Sequence, residues 1–255
     1  MILVTVSSAR GSAPRDAGAW MVVTEHGTRG TIGGGQLEYM AIDRARTMIS
    51  KGETRAEMDV PLGPEIGQCC GGRVRLELSD VEATPPEPER PHVLIFGAGH
   101  VGRALARALS LLPVQPILID QRADELAQAP NLATTNLATR LTPLPEAEIR
   151  TAPQGSAYVI LTHDHALDFL LGVEALKRPD APYIGMIGSM TKRAKFIRFA
   201  RENGIDPGRL TCPIGAGPDR AKPCLDKRPE IIAALTAAEL ITRLTTPVSS
   251  SQKYP

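Results

Sequence analysis

Three glycine-rich stretches crowd the first 72 residues: GSAPR (Gly11–Arg15), GTIGGG (Gly30–Gly35) and GQCCGG (Gly67–Gly72). The last carries an adjacent thiol pair, Cys69 and Cys70. Adjacent cysteines have neither zinc-ligand nor C-x-x-C redox spacing. A thiolate in a loop can ligate a soft or high-valent metal or carry sulfur, the other reading of either cysteine being a small buried hydrophobe. Arg15 follows Pro14, and a planar guanidinium at a loop tip suits phosphate or carboxylate, or simply water. Gly33, Gly34 and Gly35, just ahead of a helical pattern, offer backbone N–H groups to an anion; tight hairpin turns are the alternative. Interior glycine costs roughly 0.5–1 kcal/mol relative to alanine. Three such loops therefore imply close backbone approach, to one another or to a bulky polar ligand.

A second constellation begins at HVLIFGAGHVGRALARAL (His92–Leu109). An unbroken apolar run leads into Gly97, Gly99 and Gly102 in G-x-G-x-x-G spacing, followed by Val101, Leu105, Ala108 and Leu109 at helical spacing. Gly97 permits the tight turn, Gly99 lets backbone approach a phosphate, and Gly102 lets helix and strand pack closely. His100, inside the turn, is expected to face ligand or solvent. PILID (Pro116–Asp120) ends in an acid about twenty residues on, where a ribose 2′-hydroxyl contact is expected; Arg122 beside it weakens any strict preference for an unphosphorylated ribose. His163, Asp164 and His165 follow the strand AYVIL at the carboxyl edge of the expected sheet, with Asp164 placed as a helix cap. Gly188, Ser189, Lys192 and Arg193 open another helix at that edge. A hydroxyl, two cations and free N–H groups there suit an anion, the alternative being a cap with a solvated basic face.

These residues need elements to position them. Strands are expected over Ile2–Val6, Trp20–Thr24, Glu57–Leu62 and Arg73–Leu78, and a helix from about Gln36 to Ser50. Together they make a small α+β domain over residues 1–80. VEATPPEPERP (81–91) reads as a Pro-rich linker. From 92 to 245, strands at Val93–Phe96, Pro116–Asp120, Ala157–Leu161 and Tyr183–Ile187 alternate with helices. That alternation predicts a Rossmann-like, doubly wound parallel sheet in an α/β fold. Residues 123–150 read as irregular, the last helix spans about Pro229–Leu244, and 246–255 reads as a tail.

The totals exclude several classes. The chain has 255 residues, 42% hydrophobic and 22% charged, with a formal net charge of +1. Its Lys and Arg are scattered and aromatics make up only 4%, so a nucleic-acid surface is not expected. No apolar run approaches the ~20 residues of a membrane helix, and no signal peptide is recognisable; the expectation is a cytoplasmic protein.

Taken together, SARGSAPRDAGAWMVV, GTIGGGQLE, GQCCGG, HVLIFGAGHVGRALARAL, LTHDHALD, IGMIGSMTKRAKF and CPIG resemble the XdhC/CoxI family of xanthine dehydrogenase accessory proteins, over Val4 to about Leu240. The chain departs from that family in opening directly on a strand at Met1-Ile2-Leu3 and in a longer, Pro-rich AGPDRAKPCLDKRPE. The resemblance implies a maturation factor rather than an enzyme. Its cargo would be the molybdenum cofactor in molybdopterin form, which it protects. It supports sulfuration of that cofactor with a cysteine desulfurase and inserts it into the molybdenum subunit of xanthine dehydrogenase, and a homodimer is expected. On this reading Cys69 or Cys70 lies near molybdenum, while the glycine turn at 97–102 holds phosphate or a separate nucleotide. The competing reading from the fingerprint and Asp120 is an NAD(P)-dependent oxidoreductase, although no catalytic set follows the Rossmann strands.

Overall fold

The computed structural model describes residues 1–64, 71–86, 89–129, 136–216, 224 and 226–245. The chain divides into two compact units, Met1–Pro88 and Glu89–Pro255.

In the first unit, β1 (Ile2–Arg10), β2 (Trp20–Val23), β3 (Thr28–Gly30), β4 (Arg55–Pro61) and β5 (Arg73–Asp80) form an antiparallel sheet in the order β3-β2-β1-β5-β4. Alternation decides its faces. Val74, Leu76 and Leu78 of β5 are buried while Arg73, Arg75 and Glu77 are exposed. Helix α1 (Gly35–Lys51) covers the apolar face with Leu37, Ala41, Ala45 and Met48, at 3–4-residue spacing, against Ile2, Val4 and Val6. Gly52, at φ +67°, ends that helix. Strand β1 runs four residues past the predicted Val6, and it does so across a bulge. Val6 pairs with Leu76 but Ser8 pairs with Arg75, so Ser7 is the extra residue. The Ser7 hydroxyl donates to the Arg75 carbonyl at 3.2 Å.

The second unit is doubly wound. Strands β6 (His92–Phe96), β7 (Gln115–Asp120), β8 (Ala138–Leu141), β9 (Ala157–Ile160), β10 (Ile184–Met186) and β11 (Leu210–Thr211) are parallel, in the order β11-β10-β9-β6-β7-β8. Numbered within this unit, that is 3-2-1-4-5-6 read from β8, the Rossmann order, with the switch point between β6 and β9. Continuous burial of β6, β7, β9 and β10 reflects helices on both faces. On one face α2 (His100–Leu109) and α7 (Pro229–Thr245) pack through Leu105, Leu109, Ala233, Ala237 and Leu240. On the other, α5 (His165–Leu176) and α6 (Met190–Glu202) contribute Leu171, Ala175, Phe196 and Ala200. The stretch expected to be irregular holds α3 (Ala123–Ala127), β8 and α4 (Pro145–Thr151) among its described residues. These elements are short, below the window in which a period can be recognised. Leu170, grouped by spacing with the apolar stripe of α5, is 56% exposed, whereas Leu171 is buried.

The close approach of α2 to the sheet rests on Gly102. A Cβ there would stand 1.9 Å from the Gly97 carbonyl oxygen and 3.0 Å from Leu161 Cδ1. Gly102→Ala is expected to cost about 3 kcal/mol or more, since backbone must move. Gly99→Ala, whose Cβ would meet nothing within 4 Å, is expected to change stability by under about 0.5 kcal/mol. Urea denaturation of the two variants checks the contrast.

Candidate functional site

The glycine loops of the first unit meet around one segment, Arg10–Arg15. On one side, a Cβ on Gly72 would lie 2.2 Å from the Ser12 carbonyl oxygen and 2.7 Å from that of Arg10. Ser12 and Gly71 form an isolated bridge. On the other side, a Cβ on Gly33 would lie 2.6 Å from Pro14 and 3.4 Å from Arg15 Cγ. The close approach expected from the glycines is thus made between the loops themselves. Cys69 and Cys70 lie outside the described residues. The point where their segment rejoins the sheet is described: Gly71 N–H donates to the Leu62 carbonyl, and Leu62 N–H to the Gly72 carbonyl, both at 2.8 Å.

Gly33, Gly34 and Gly35 have φ of +123°, +74° and +62°, a run only glycine adopts without strain. Their turn points donors inward. One oxygen of Glu38, in the first turn of α1, accepts from Gly34 N–H at 3.0 Å, Ile32 N–H at 3.2 Å and the Thr31 hydroxyl at 2.6 Å. Burial pushes Glu38 up, but these hydrogen bonds outweigh it and hold its pKa below the ordinary value. The anion expected at this turn is therefore met from within, by a carboxylate that the spacing argument passed over. Arg15 is exposed, and no acid among the described residues pairs with it.

At the turn between β6 and α2, Gly97 has φ +113°, and a Cβ on it would stand 2.4 Å from the Leu161 carbonyl oxygen. Gly99 is the N-cap of α2 and faces open space. His100 is exposed, as expected. Asp120 is where the sequence puts it, at the end of β7, but it is occupied. Its Oδ2 accepts from Ala98 N–H at 2.7 Å, and its carboxylate takes Arg122 Nε at 3.1 Å, Nη2 at 3.0 Å and the Arg122 N–H at 3.0 Å. Burial raises its pKa, and Arg122 with the two amides more than reverses this, leaving it lowered. Arg103 donates to the Ala98 carbonyl and to Glu125, each at 2.6 Å. The two peptide groups that flank Ala98 are thus each held, one by Asp120 and the other by Arg103, and Asp120 holds the turn rather than standing free for a ribose. The void beside it, lined by Gly97, Asp120, Thr162 and His163 among others, is about 10 Å³, room for one water.

The remaining edge residues divide in two. His163 is exposed, while Asp164 caps α5, accepting from Ala166 N–H at 2.8 Å. Ser189 caps α6, accepting from Lys192 N–H at 3.2 Å. Lys192 is not a free cation at a helix end. It is 7% exposed, and its ammonium pairs with fully buried Asp168 of α5. Asp168 also accepts from Thr162 N–H at 3.0 Å and the Thr162 hydroxyl at 2.7 Å. A signal existed for this pair. Asp168 and Lys192 each sit in the buried stripe of their helix, with Leu171 and Ala175, and with Phe196 and Ala200; a charge in such a stripe needs a partner. Burial raises the thiol pKa of Cys212, with Lys192 and Arg193 acting against it. Among the described residues no cluster of three or more His, Cys, Asp or Glu could hold a metal, and no helix is long and apolar enough to cross a membrane.

Lys192→Met strands the Asp168 carboxylate and is expected to cost about 3–5 kcal/mol, much of it regained on adding Asp168→Leu; thermal or urea unfolding of both variants checks this. For Glu38, a lowered folded-state pKa means its stabilisation is complete above the ordinary value of 4.5 and is lost as pH falls through the folded value. The stability gap between the protein and Glu38→Gln should therefore be full at neutral pH and shrink on acidification, as read by denaturation across pH.

Known proteins fit this description. The family model described as XdhC Rossmann domain matches residues 93–240, and that described as XdhC and CoxI family matches residues 1–60. "Uncharacterized protein YqeB" of Escherichia coli (strain K12) is 26% identical over 222 residues, covering 84% of this chain and 39% of that protein. The chain thus spans about two-fifths of the length of this curated relative. A solved structure described as a xanthine dehydrogenase from Bacillus halodurans aligns with TM-score 0.78 at 17% identity, over 98% of this chain and 93% of that one, a likeness of fold. With both models matched in order along the chain, this protein belongs to the XdhC and CoxI family, its second unit being an XdhC Rossmann domain.

Proposed function

We propose that this protein acts in the maturation of xanthine dehydrogenase, as a carrier of the molybdenum cofactor in molybdopterin form. It shields that cargo, presents it for sulfuration by a cysteine desulfurase, and passes it to the molybdenum subunit of the dehydrogenase, working as a homodimer in the cytoplasm and turning over no substrate of its own. Family membership supports the link to the dehydrogenase. The observation that carries the cargo reading is the gathering of three glycine loops around Arg10–Arg15 at the root of the segment that bears Cys69 and Cys70.

The parts suit such a cargo chemically. Thiolate is a ligand for a dithiolene-bound metal centre and a sulfur carrier, the role assigned to Cys69 or Cys70. A terminal phosphate suits Arg15 or open backbone at a helix N-terminus, as at Gly99 beside His100, with Ser189 as a further hydroxyl at the sheet edge. The competing reading, a nicotinamide-dependent oxidoreductase, needs an acid for the ribose hydroxyl, and Asp120 is committed to Ala98 and Arg122.

Anaerobic incubation with the molybdopterin-form cofactor, followed by gel filtration and molybdenum analysis, should give a stoichiometric complex. Of Cys69→Ala and Cys70→Ala, one should lose the metal while staying folded. Folded protein eluting free of molybdenum overturns the proposal. Tight binding of reduced nicotinamide cofactor with turnover of a carbonyl substrate would establish the oxidoreductase instead.

A further inference from the structure

An open groove of about 480 Å³ lies on the first unit, lined by Arg15 to Trp20, Gly30 and Thr31. That volume is within the roughly 300–1,000 Å³ of small-molecule sites. Its construction is specific. Trp20 packs its six-membered ring on Gly30: a Cβ there would stand 3.2 and 3.3 Å from Cζ3 and Cε3, and 2.7 Å from the Trp20 carbonyl oxygen. Gly30 at φ +85° therefore leaves the indole a flat seat that any side chain would remove. Gly18, at φ +93°, has nothing within 4 Å of where its Cβ would be, so the loop leaves the space open. Arg15 and Asp16 are both exposed, and neither makes an ion pair among the described residues.

Each wall has its own chemistry. An indole offers a face for a fused aromatic ring. A carboxylate accepts two parallel N–H donors at once, and a guanidinium takes a phosphate or carboxylate. A single ligand class satisfies all three: a fused ring with a 2-amino-4-oxopyrimidine edge, whose ring N–H and amino group are parallel donors, carrying an anionic substituent. We infer that this groove binds such a ring, with Asp16 on its aminopyrimidinone edge, Trp20 against its face and Arg15 on its anionic tail. The inference rests on the carrier reading, since a pterin has that edge and would be the heterocyclic part of the cargo; guanine has the same edge and is the other source.

Trp20 is the chain's only tryptophan, so its emission reports on the groove directly. The whole protein would be titrated with pterin-6-carboxylate, neutral 6-hydroxymethylpterin, guanosine 5′-monophosphate and adenosine 5′-monophosphate, with calorimetry as a second readout. Pterin-6-carboxylate should bind and quench, and adenosine 5′-monophosphate, lacking the edge, should not. Asp16→Asn should weaken pterin binding by about tenfold or more, the scale of a lost charge-assisted hydrogen-bond pair. Arg15→Ala should weaken the carboxylate but not the neutral pterin. Both positions are exposed loop sites, and circular dichroism confirms that the variants fold. Guanosine 5′-monophosphate binding as tightly as the pterin would identify the guanine source of the same chemistry. No quenching by any probe, equal binding of the adenine nucleotide, or indifference to Asp16→Asn overturns the inference. Molybdenum retention separates the two proposals: retention unaffected by Asp16→Asn removes the groove and leaves the carrier standing, whereas pterin binding without molybdenum retention does the reverse.

Discussion

In each unit a glycine-rich turn gives backbone N–H groups to a carboxylate that the chain itself supplies: Ile32 and Gly34 to Glu38, Ala98 to Asp120. Much follows from this pairing. Backbone donors left without a partner in a packed environment are costly, and positive-φ glycines have the most conformational freedom to lose. A charged acceptor that collects several donors at once is the strongest local remedy. It fixes the run Gly33–Gly35 ahead of α1, and it fixes the peptide from which Gly99 opens α2. These hydrogen bonds hold both turns with groups of the chain itself, so a ligand would meet surfaces already formed and its binding free energy would not be consumed in ordering them.

That arrangement also sorts the charges. Asp120, Arg122, Arg103 and Glu125 form one network around the glycine turn, and Lys192 with Asp168 and Thr162 ties α6 to α5 and to the end of β9. Groups that look like receptors in the sequence are here holding loops. Those not held in this way, Arg15 and Asp16 in the first unit and His100 and His163 in the second, are exposed. For the carrier role proposed above such a division would favour release, since a host whose own stability depended on its guest would be slow to let it go.

The fold was legible because its signals are long-range and redundant. Continuous apolar strands, a glycine fingerprint and repeated βα alternation all call for a doubly wound sheet, and alternation in Arg73–Leu78 marks a one-faced strand. What escaped was short or pairwise. The five-residue α3 and the four-residue β8 lie below any recognisable period. The fate of Lys192, Asp120 and the GTIGGG amides depends on partners 24, 22 and a few residues away, and single positions do not announce their partners. Glu38 could have been found as an acid in the first turn after three glycines, and Asp168 as a charge inside an apolar stripe. The position of Cys69 and Cys70 is the one central expectation that falls outside the described residues.

The bulge at Ser7 reaches further than its size. Ahead of it, even-numbered residues of β1 face α1; beyond it, Ala9 is opposite Val74 on that same inner face. One supernumerary residue thus reverses the inside–outside parity of everything that follows, up to the segment where Gly72 and Gly33 close in. Were Ser7 drawn into the ladder, so that the strand paired without a bulge, Ser8 and Arg10 would turn toward the helix and Ala9 toward water; deleting Ser7 would instead leave Val6, Ser8 and Ala9 on their present partners. A single deletion at the bulge thus leaves the inner face intact, whereas a second would set Ala9 opposite Arg75 and turn it to water, so the strand carries one residue of slack and no more.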